Sequence, residues 1–448
     1  MGLFDRLRGN GGPRVAFFGI DGVPFSLIAD HPDVFENLHE VIDRGSAGPI
    51  DSIVPPESSA CWPSLTTGVN PGETGVYGFQ DREIGSYETY VPMGRDVRAT
   101  RVWDRVHDAG RQATVVNVPV TFPPQRNIQR MVSGFLSPDL EKASHPSELE
   151  ETFERFGYRI DVNAKLGHEE DKTDFIDDAH GTIEARHQAF SYCIDRDDWD
   201  LFFGVFMTPD RINHFLFEDF ERDGPNRDAF LEFYRTVDAY LGELLDALPS
   251  DVTAIIASDH GFTTLDYEVH FNRWLAEEGW LSFEGDEHDQ LEDIAAETRA
   301  YSLIPGRFYL NLEDREPRGG VSRAEYGETL QELEAAITDL RGPDGKQVVD
   351  RVVRGSRAFS GANEEIAPDL VAIPRDGFDL KAGFGNGDAV FDRGPRNGMH
   401  TFENATLIVD DPSVEIAEND LYDIAPTILD LMEIEYADED LDGTSLAG

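Results

Sequence analysis

The chain is 448 residues long and carries 88 acidic against 38 basic side chains, a formal net charge of −50 at pH 7. This charge excludes duplex nucleic acid as a partner held by a basic face. It is typical of a halophilic protein, because molar salt shortens the Debye length to about 3 Å and screens the repulsion. The two cysteines, Cys61 and Cys193, exclude a disulfide framework and suit a reducing compartment.

The N-terminal stretch MGLFDRLRGNGGPRVAFFGID lacks the long apolar run of a secretion signal. No later segment reaches the ~20 apolar residues that a membrane-spanning helix needs. We therefore expect a cytoplasmic protein without a transmembrane segment. Its first eight residues are expected to form a mobile tail rather than a short amphipathic helix. The sequence leaves the oligomeric state open.

Strand and helix signals alternate along much of the chain. The apolar run VAFFGI (15–20) predicts a buried parallel strand, and residues 100–124 predict a helix followed by a strand. A further buried strand is expected in DLFFGVFMTPD (200–210), then a helix over 226–248 and a strand in VTAIIAS (252–258). This alternation predicts an α/β fold with a mostly parallel central sheet flanked by helices.

The pattern changes between about residues 265 and 385. Shorter elements, such as the predicted strands RFYLNL and DLVAIP and a helix over 323–341, are joined there by Gly- and Pro-rich connections. We predict that 265–385 is a smaller, cap-like α+β insertion. The α/β catalytic core would then consist of 1–264 and 386–448.

Potential metal ligands follow three of the predicted strands. Asp21, Asp210 and Asp259 each stand shortly after a buried strand, and His260 follows Asp259 directly. His214 stands four residues after Asp210, so a helical turn would point both side chains the same way. Carboxylates and neutral imidazoles bind zinc and manganese. Taken singly, each of these residues is also a candidate for a helix cap or for a packed histidine.

The stretch PPESSACWPSLTTG (55–68) contains three candidate nucleophiles, Ser58, Ser59 and Cys61. Its small residues lead into an apolar run that predicts the start of a helix, where free backbone N–H groups favour an anion. The residues alone do not decide which of the three attacks a substrate.

Several segments follow one another in a recognisable order: FFGIDG, PSLTTGVNPGETGVYGF, TPDRINH, SDHGF, GMHTFENATLIV and DLYDIAPTILDLM, the last followed by DGTSL. In this order, and over most of the chain, the sequence resembles the alkaline phosphatase superfamily, most closely its type I phosphodiesterase/nucleotide pyrophosphatase branch. The resemblance implies an alkaline phosphatase-like fold with two divalent metal ions, zinc or alternatively manganese. One ion would be held by Asp210, His214 and His400. The other would be held by Asp21, Asp259 and His260, with the nucleophile's oxygen between the two ions.

The resemblance also selects the nucleophile. In this branch it lies nine residues before the Thr of a Thr-Gly signature, and Ser58 stands at that distance before Thr67. Ser58 would therefore attack phosphorus and ligate the metal ions, while Ser59 becomes a helix cap or a first-turn hydroxyl. Cys61 mimics the CxPS sequence of sulfatases, but it lies only six residues before Thr67, and Leu65 replaces the Arg that follows the sulfatase motif.

The sequence departs from the branch at Cys61, where better-known nucleotide pyrophosphatases carry an Asn that donates to a phosphate oxygen. A thiol is a weak donor, and Ala60 replaces the usual Pro. Contacts to the phosphate are therefore expected from backbone N–H groups or from another side chain.

Together these features predict a dinuclear metal-dependent hydrolase of small phosphate esters that works through a phosphoseryl intermediate on Ser58. A phosphodiesterase or nucleotide pyrophosphatase is the first interpretation. Two cations about 4 Å apart lower the pKa of a hydroxyl and stabilise charge on phosphoryl oxygens. The alternatives are a phosphomonoesterase, a phosphotransferase like the cofactor-independent phosphoglycerate mutases, a sulfatase and a non-catalytic metal-binding protein. The sequence does not predict the substrate.

Overall fold

The computed structural model describes residues 12–285, 290–383, 389–417 and 419–448. The predicted N-terminal tail lies outside these residues, and so does the predicted domain boundary at residue 385. Within the described ranges, no helix combines the length and the apolar character needed to cross a bilayer.

Strands and helices alternate through most of the described chain. The strands are β1 Arg14–Ile20, β2 Ser46–Ile50, β3 Asp81–Arg82, β4 Thr89–Tyr90, β5 Ala113–Val116, β6 Arg130–Val132, β7 Ser144–His145, β8 Leu201–Phe206, β9 Val252–Ala257, β10 Gly261–His270, β11 Ala300–Leu303, β12 Arg307–Leu310, β13 Val349–Arg354, β14 Leu370–Pro374, β15 Gly377–Lys381, β16 Phe391–Asp392, β17 Gly398–Thr401 and β18 Ala405–Val409. The helices are α1 Phe25–Asp30, α2 Glu36–Arg44, α3 Ser58–Thr67, α4 Pro71–Thr74, α5 Val102–Asp108, α6 Leu140–Ala143, α7 Glu148–Arg155, α8 Thr173–Ile194, α9 Thr208–Glu221, α10 Arg227–Ala247, α11 Phe271–Glu277, α12 Tyr326–Asp339, α13 Gly355–Ala358 and α14 Ile424–Leu431.

The centre of the molecule is a sheet whose strands lie in the order β2-β18-β9-β1-β8-β5-β6-β7. The five strands β9, β1, β8, β5 and β6 run parallel to one another. Antiparallel pairing is confined to the two edges, where β18 joins β9 and β2, and β7 joins β6. The predicted α/β fold with a mostly parallel central sheet is therefore confirmed.

Helices cover both faces of this sheet because its strands are apolar on both sides. All seven residues of β1 are buried. Phe17 stacks on Phe203 on the face covered by α3, α5 and α14, and Phe18 contacts Phe202 on the opposite face, under α8 and α10. Burial on both faces is the normal environment of a parallel strand. It explains why VAFFGI contains no alternation of polar and apolar residues.

Two smaller sheets are formed mainly by the later part of the chain. Strand β10 pairs with β15, β16 and β17, and the strands β11, β12, β14 and β13 form an antiparallel sheet in that order. The second sheet has an apolar core of its own, which includes Tyr301, Phe308 and Leu333. The description of 265–385 as an inserted cap stays a prediction.

Candidate metal centre

The order of the central strands brings the predicted ligands together. Strands β9, β1 and β8 are neighbours and parallel, so their carboxyl ends lie side by side. Asp21 follows β1 directly, Asp259 comes shortly after β9, and α9, which begins after β8, carries Asp210 and His214. The antiparallel pairing of β10 with β17 adds His400, which lies opposite Phe262.

Helix α3 presents Ser58 at its first position. Glu57 is the N-cap residue, and Gly68, with a φ of 72°, ends the helix in the left-handed conformation. One turn after Ser58, the indole Nε1 of Trp62 donates to Asp21 Oδ2 at 2.7 Å. Ser58 Oγ donates to the other oxygen, Asp21 Oδ1, at 3.3 Å. The i, i+4 spacing thus places both donors on the same carboxylate.

We call Asp210, His214 and His400 the edge group. His400 Nε2 lies 3.2 Å from Asp210 Oδ1 and 3.1 Å from His214 Nε2. His214 Nε2 lies 3.4 Å from the same Asp210 oxygen. The ring nitrogens and the carboxylate oxygen therefore face a common point. The side chain of His400 is 21 % exposed, which places this group at the surface of a cavity.

We call Asp21, Asp259 and His260 the buried group, because each is 0 % exposed. His260 Nε2 lies 3.5 Å from Asp259 Oδ2 and 3.9 Å from Asp21 Oδ1. Ser58 Oγ is 3.2 Å from His260 Nε2. The His260 ring also stacks on that of His400, with centroids 3.7 Å apart, so the two groups are in contact.

All three imidazoles are oriented in the same way. The Nδ1 atoms of His214, His260 and His400 lie 3.1, 3.0 and 3.2 Å from the backbone carbonyls of Gly398, Gly261 and Pro56. A carbonyl can only accept, so each Nδ1 carries the proton and each Nε2 directs its lone pair into the centre. This is the usual arrangement of metal-binding histidines. Burial also lowers the pKa of His214 and His260, which favours the neutral ring.

The carboxylates of the buried group lack compensation for their charge. Burial raises the pKa of Asp259 to about 7. Burial and the charges of Asp259 and Asp210 raise the pKa of Asp21 well above its ordinary value. Asp259 Oδ2 is buried and accepts no hydrogen bond within the described residues. Two carboxylates, an orphaned oxygen and inward-facing imidazole nitrogens fit a divalent cation.

The carboxylate of the edge group is in a different state. Burial works against the charged form of Asp210, but positive charge beside it, including that of Arg211, outweighs burial and holds the pKa of Asp210 well below its ordinary value. Arg211 Nη1 donates to Asp210 Oδ2 at 2.8 Å, which leaves Oδ1 for the centre. The guanidinium is itself anchored by Asp161, whose Oδ2 accepts from Nε at 3.0 Å and from Nη2 at 2.9 Å.

A cavity of about 310 Å³ opens beside Ser58 and the edge group. One wall is apolar and includes Phe79, Phe135, Ile304 and Leu380. Positive charge reaches the cavity from three other lining residues, Arg211, Lys381 and Arg396. The buried group does not line the cavity in the described structure. Ser58 is therefore the residue that connects the buried group to a ligand in the cavity.

Arg307 joins two segments of the apolar wall. This side chain is 0 % exposed. Its guanidinium donates to the Ile304 carbonyl, and it also donates to Asp81 and to the carbonyl of Gln80, next to Phe79. The buried ion pair therefore fixes the distance between the chain around residue 80 and the chain around residue 304.

The structure separates the three candidate nucleophiles. Ser58 faces the centre and the cavity. Ser59 lies in the first turn of α3, where Glu57 is the N-cap, so of its two predicted roles it has that of a first-turn hydroxyl and not that of the cap. Cys61 is 0 % exposed, with Sγ 3.3 Å from Ser52 Oγ. Burial raises the pKa of this thiol well above its ordinary value, and it does not line the cavity in the described structure.

Sequence reasoning missed several residues of this site. Trp62 and Arg211 carried usable signals, because one stands a helical turn after Ser58 and the other directly after Asp210. Lys381 and Arg396 carried none, since their approach to the cavity depends on how later strands pack.

Comparisons with known proteins concern the family and the fold of the chain. The model of the type I phosphodiesterase/nucleotide pyrophosphatase family matches residues 15–403. A crystal structure of phosphonoacetate hydrolase from Sinorhizobium meliloti 1021 in complex with phosphonoacetate is similar, with a TM-score of 0.63 and 16 % identity over 95 % of this chain and 98 % of that chain. Murine ectonucleotide pyrophosphatase/phosphodiesterase 5, as an inactive variant in complex with AMP, gives a TM-score of 0.56 and 13 % identity over 96 % and 97 %. No curated protein sequence matches the chain. At these identities the two solved structures show a shared fold.

Proposed function

The chain belongs to the type I phosphodiesterase/nucleotide pyrophosphatase family, and on this premise we propose that it hydrolyses small phosphate diesters through a phosphoseryl intermediate on Ser58. It is an enzyme of the metal-dependent phosphodiesterase and phosphatase class. The position of the Ser58 hydroxyl carries the proposal. Ser58 Oγ lies 3.3 Å from Asp21 Oδ1 and 3.2 Å from His260 Nε2, beside the cavity that the edge group also lines.

We assign one divalent ion to the edge group and one to the buried group, with Ser58 Oγ between them. Bound there, the two ions would lower the pKa of the Ser58 hydroxyl and neutralise charge on the phosphoryl oxygens. The donor set of three imidazoles and three carboxylates favours zinc, with manganese as the alternative. The orphaned Asp259 Oδ2 and the inward-facing Nε2 atoms support this assignment.

The proposed reaction has two steps: Ser58 attacks phosphorus in the first, and water attacks the phosphoserine in the second. Ser58 Oγ gives its proton to solvent water and attacks phosphorus, so that the bond from Oγ to phosphorus forms while the bond to the leaving oxygen breaks on the opposite side. The leaving oxygen takes a proton from water and departs as the alcohol. The hydrogen bond from Trp62 Nε1 to Asp21 Oδ2 holds the start of α3 in place during the attack. A water molecule then attacks the phosphoserine from the side that the alcohol has left, which regenerates Ser58. The net reaction converts a diester and water into a monoester and an alcohol.

The size and the lining of the cavity favour a small substrate. Its volume of about 310 Å³ lies at the lower end of the range for small-molecule sites. Its apolar wall suits an organic leaving group, and its cationic side chains suit the phosphate. The two similar structures hold phosphonoacetate and AMP, which are small compounds with a phosphonate or a phosphate group. Given the charge of −50, we propose that the enzyme works at high salt.

Replacement of Ser58 by Ala tests the proposal. We expect Ser58→Ala to abolish hydrolysis of bis(p-nitrophenyl) phosphate in molar KCl while about two metal ions per chain remain bound. Ser59→Ala is the matched control, because it removes a hydroxyl one position along the same turn and should keep the parent activity. A mass increase of one phosphoryl group on Ser58, trapped by acid during turnover, would identify the intermediate.

Retained turnover in Ser58→Ala, or its loss in Ser59→Ala instead, would refute the assignment. A panel of p-nitrophenyl monoester, diester and sulfate ester, together with phosphonoacetate, separates the reaction classes. The proposal requires that the diester is the best of these substrates and that the sulfate ester is not turned over.

A further inference from the structure

The reacting phosphoryl group needs a side-chain donor. In the transition state negative charge is spread over its oxygens, and a donor fixed in advance near them is a large contribution to catalysis. Cys61 cannot provide it, because its thiol points into the core towards Ser52 and not into the cavity. The cationic donors that line the cavity are Arg211, Lys381 and Arg396.

These three cations differ in their relation to the metal centre. Arg211 contacts the edge group directly through Asp210 Oδ2. Lys381 is paired with Asp379, a residue of β15 outside both ligand groups. Of the three, Arg211 is therefore the cation that is hydrogen-bonded to a ligand group within the described residues.

Arg211 has donors to spare and is held in a fixed orientation. A guanidinium has five N–H bonds. Three are used by Asp161 and Asp210, which leaves one N–H on each of Nη1 and Nη2. The guanidinium carbon lies 4.7 Å from the centroid of the Phe135 ring, and the side chain is 14 % exposed, on the cavity side.

We propose that Arg211 is a further catalytic residue, whose two remaining Nη–H groups donate to the phosphoryl oxygens of the substrate attacked by Ser58. The inference rests on the proposed function of the same site. The planar guanidinium of Arg211 matches two oxygens of one phosphate group, whereas a Lys ammonium at this position would keep only the charge. Asp161 is then a positioning residue that acts through Arg211.

The experiment compares Arg211→Ala and Arg211→Lys with the parent chain, all loaded with zinc in molar KCl. The control is Arg222→Ala, which removes a half-exposed arginine just beyond the end of α9 that pairs with Glu218 and Asp266. The measured quantities are metal content, kcat and KM for the diester, the affinity for inorganic phosphate by calorimetry, and rescue of activity by added guanidinium ion.

We expect Arg211→Ala to keep its metal ions, to lose about 10²–10³-fold in kcat and to bind phosphate more weakly, with part of kcat restored by guanidinium. Arg211→Lys should keep its metal and remain well below the parent in kcat, while Arg222→Ala should match the parent. Full activity of Arg211→Lys would overturn the inference, because Arg211 would then serve only to balance the charge of Asp210. It would also be overturned if the loss in Arg211→Ala followed a loss of metal and added zinc alone restored activity.

Failure of the proposed function gives a different pattern. In that case the parent and Arg222→Ala hydrolyse none of the esters. Phosphate binding then still tests Arg211: weaker binding in Arg211→Ala at unchanged metal content supports the inference, and equal binding overturns it.

Discussion

The edge group and the buried group contain similar side chains but balance their charge differently. In the edge group, one carboxylate is shared by two histidines and Arg211, and the pKa of Asp210 is held low. In the buried group, Asp21 and Asp259 lie side by side with their pKa values raised, and Asp259 Oδ2 has no donor within the described residues. The difference teaches that Arg211 compensates the charge of the edge carboxylate within the chain, whereas the buried carboxylates need protonation or a bound cation to compensate theirs.

Removal of the metal should have the largest effect. We expect a chelator to lower activity by on the order of 10³-fold or more, because the ions supply several kcal/mol of charge stabilisation. The ion of the edge group should leave first, since His400 is partly exposed and the buried group does not line the cavity in the part of the chain that the structure describes. Metal analysis after stepwise chelation measures this order. Loss of both ions in one step would contradict the comparison.

His400→Ala should separate the two sites. We expect it to weaken binding of one ion by more than the roughly 10–100-fold that loss of an outer partner costs, while the ion of the buried group stays bound. Zinc titration followed by calorimetry provides the measurement. His187→Ala is a control, because this histidine stacks on Tyr240 away from the centre. Equal metal content in His400→Ala and the parent would refute its role as a ligand.

Asn substitutions should change the stability of the metal-free protein in opposite directions. The ionised form of Asp259 is disfavoured by burial, so Asp259→Asn should raise the free energy of unfolding by about 1–3 kcal/mol at pH 8. The ionised form of Asp210 is favoured by its neighbours, so Asp210→Asn should lower it by a similar amount. Urea unfolding in molar KCl with chelator measures both values. Changes of the same sign would contradict the proposed difference in charge balance between the two groups.

Trp62→Phe should affect the buried group through Asp21 alone. The substitution keeps an aromatic ring but removes the 2.7 Å hydrogen bond to Asp21 Oδ2, so we expect metal affinity there to fall by about ten-fold. Trp103→Phe, which removes an indole hydrogen bond to Gln125 instead, is the matched control. A similar loss of metal affinity in both variants would indicate a general packing effect.

Cys61→Ala should have the smallest effect. The thiol contacts Ser52, which in turn donates to the backbone carbonyl of Asp259, so these hydrogen bonds link it to the buried group through Ser52 and not directly. We expect kcat within about three-fold of the parent, equivalent to under 1 kcal/mol. An intact mass without conversion of Cys61 to formylglycine, together with this activity, would exclude the sulfatase alternative.

The sequence predicted the parts of the site that depend on local order. Asp21, Asp210 and Asp259 stand at the ends of apolar strands, and parallel strands end at a common edge, so their approach follows from the fold. The choice of Ser58 and the inclusion of His400 came from the resemblance to a known family. Their roles as nucleophile and ligand stay predictions until they are tested.

The remaining parts depend on contacts between distant segments. Asp161 anchors Arg211 from 50 residues earlier in the chain. Ile304 and Leu380 meet Phe79 only because separate sheets pack against one another. No local pattern encodes these contacts. For this reason the sequence predicted the centre but neither the walls of the cavity nor the donor beside the phosphate.

The ion pair of Arg307 holds the backbone around the cavity in place independently of the side chains that line the cavity. Because this buried guanidinium links Asp81 and Gln80 to Ile304, the spacing of these two chain segments does not depend on which apolar side chains line the cavity. Substitutions at Phe79 or Leu380 can therefore change the preferred leaving group and still leave Ser58 in its place. Relatives that contain the same ion pair can therefore act on different substrates while the nucleophile attacks from the same position.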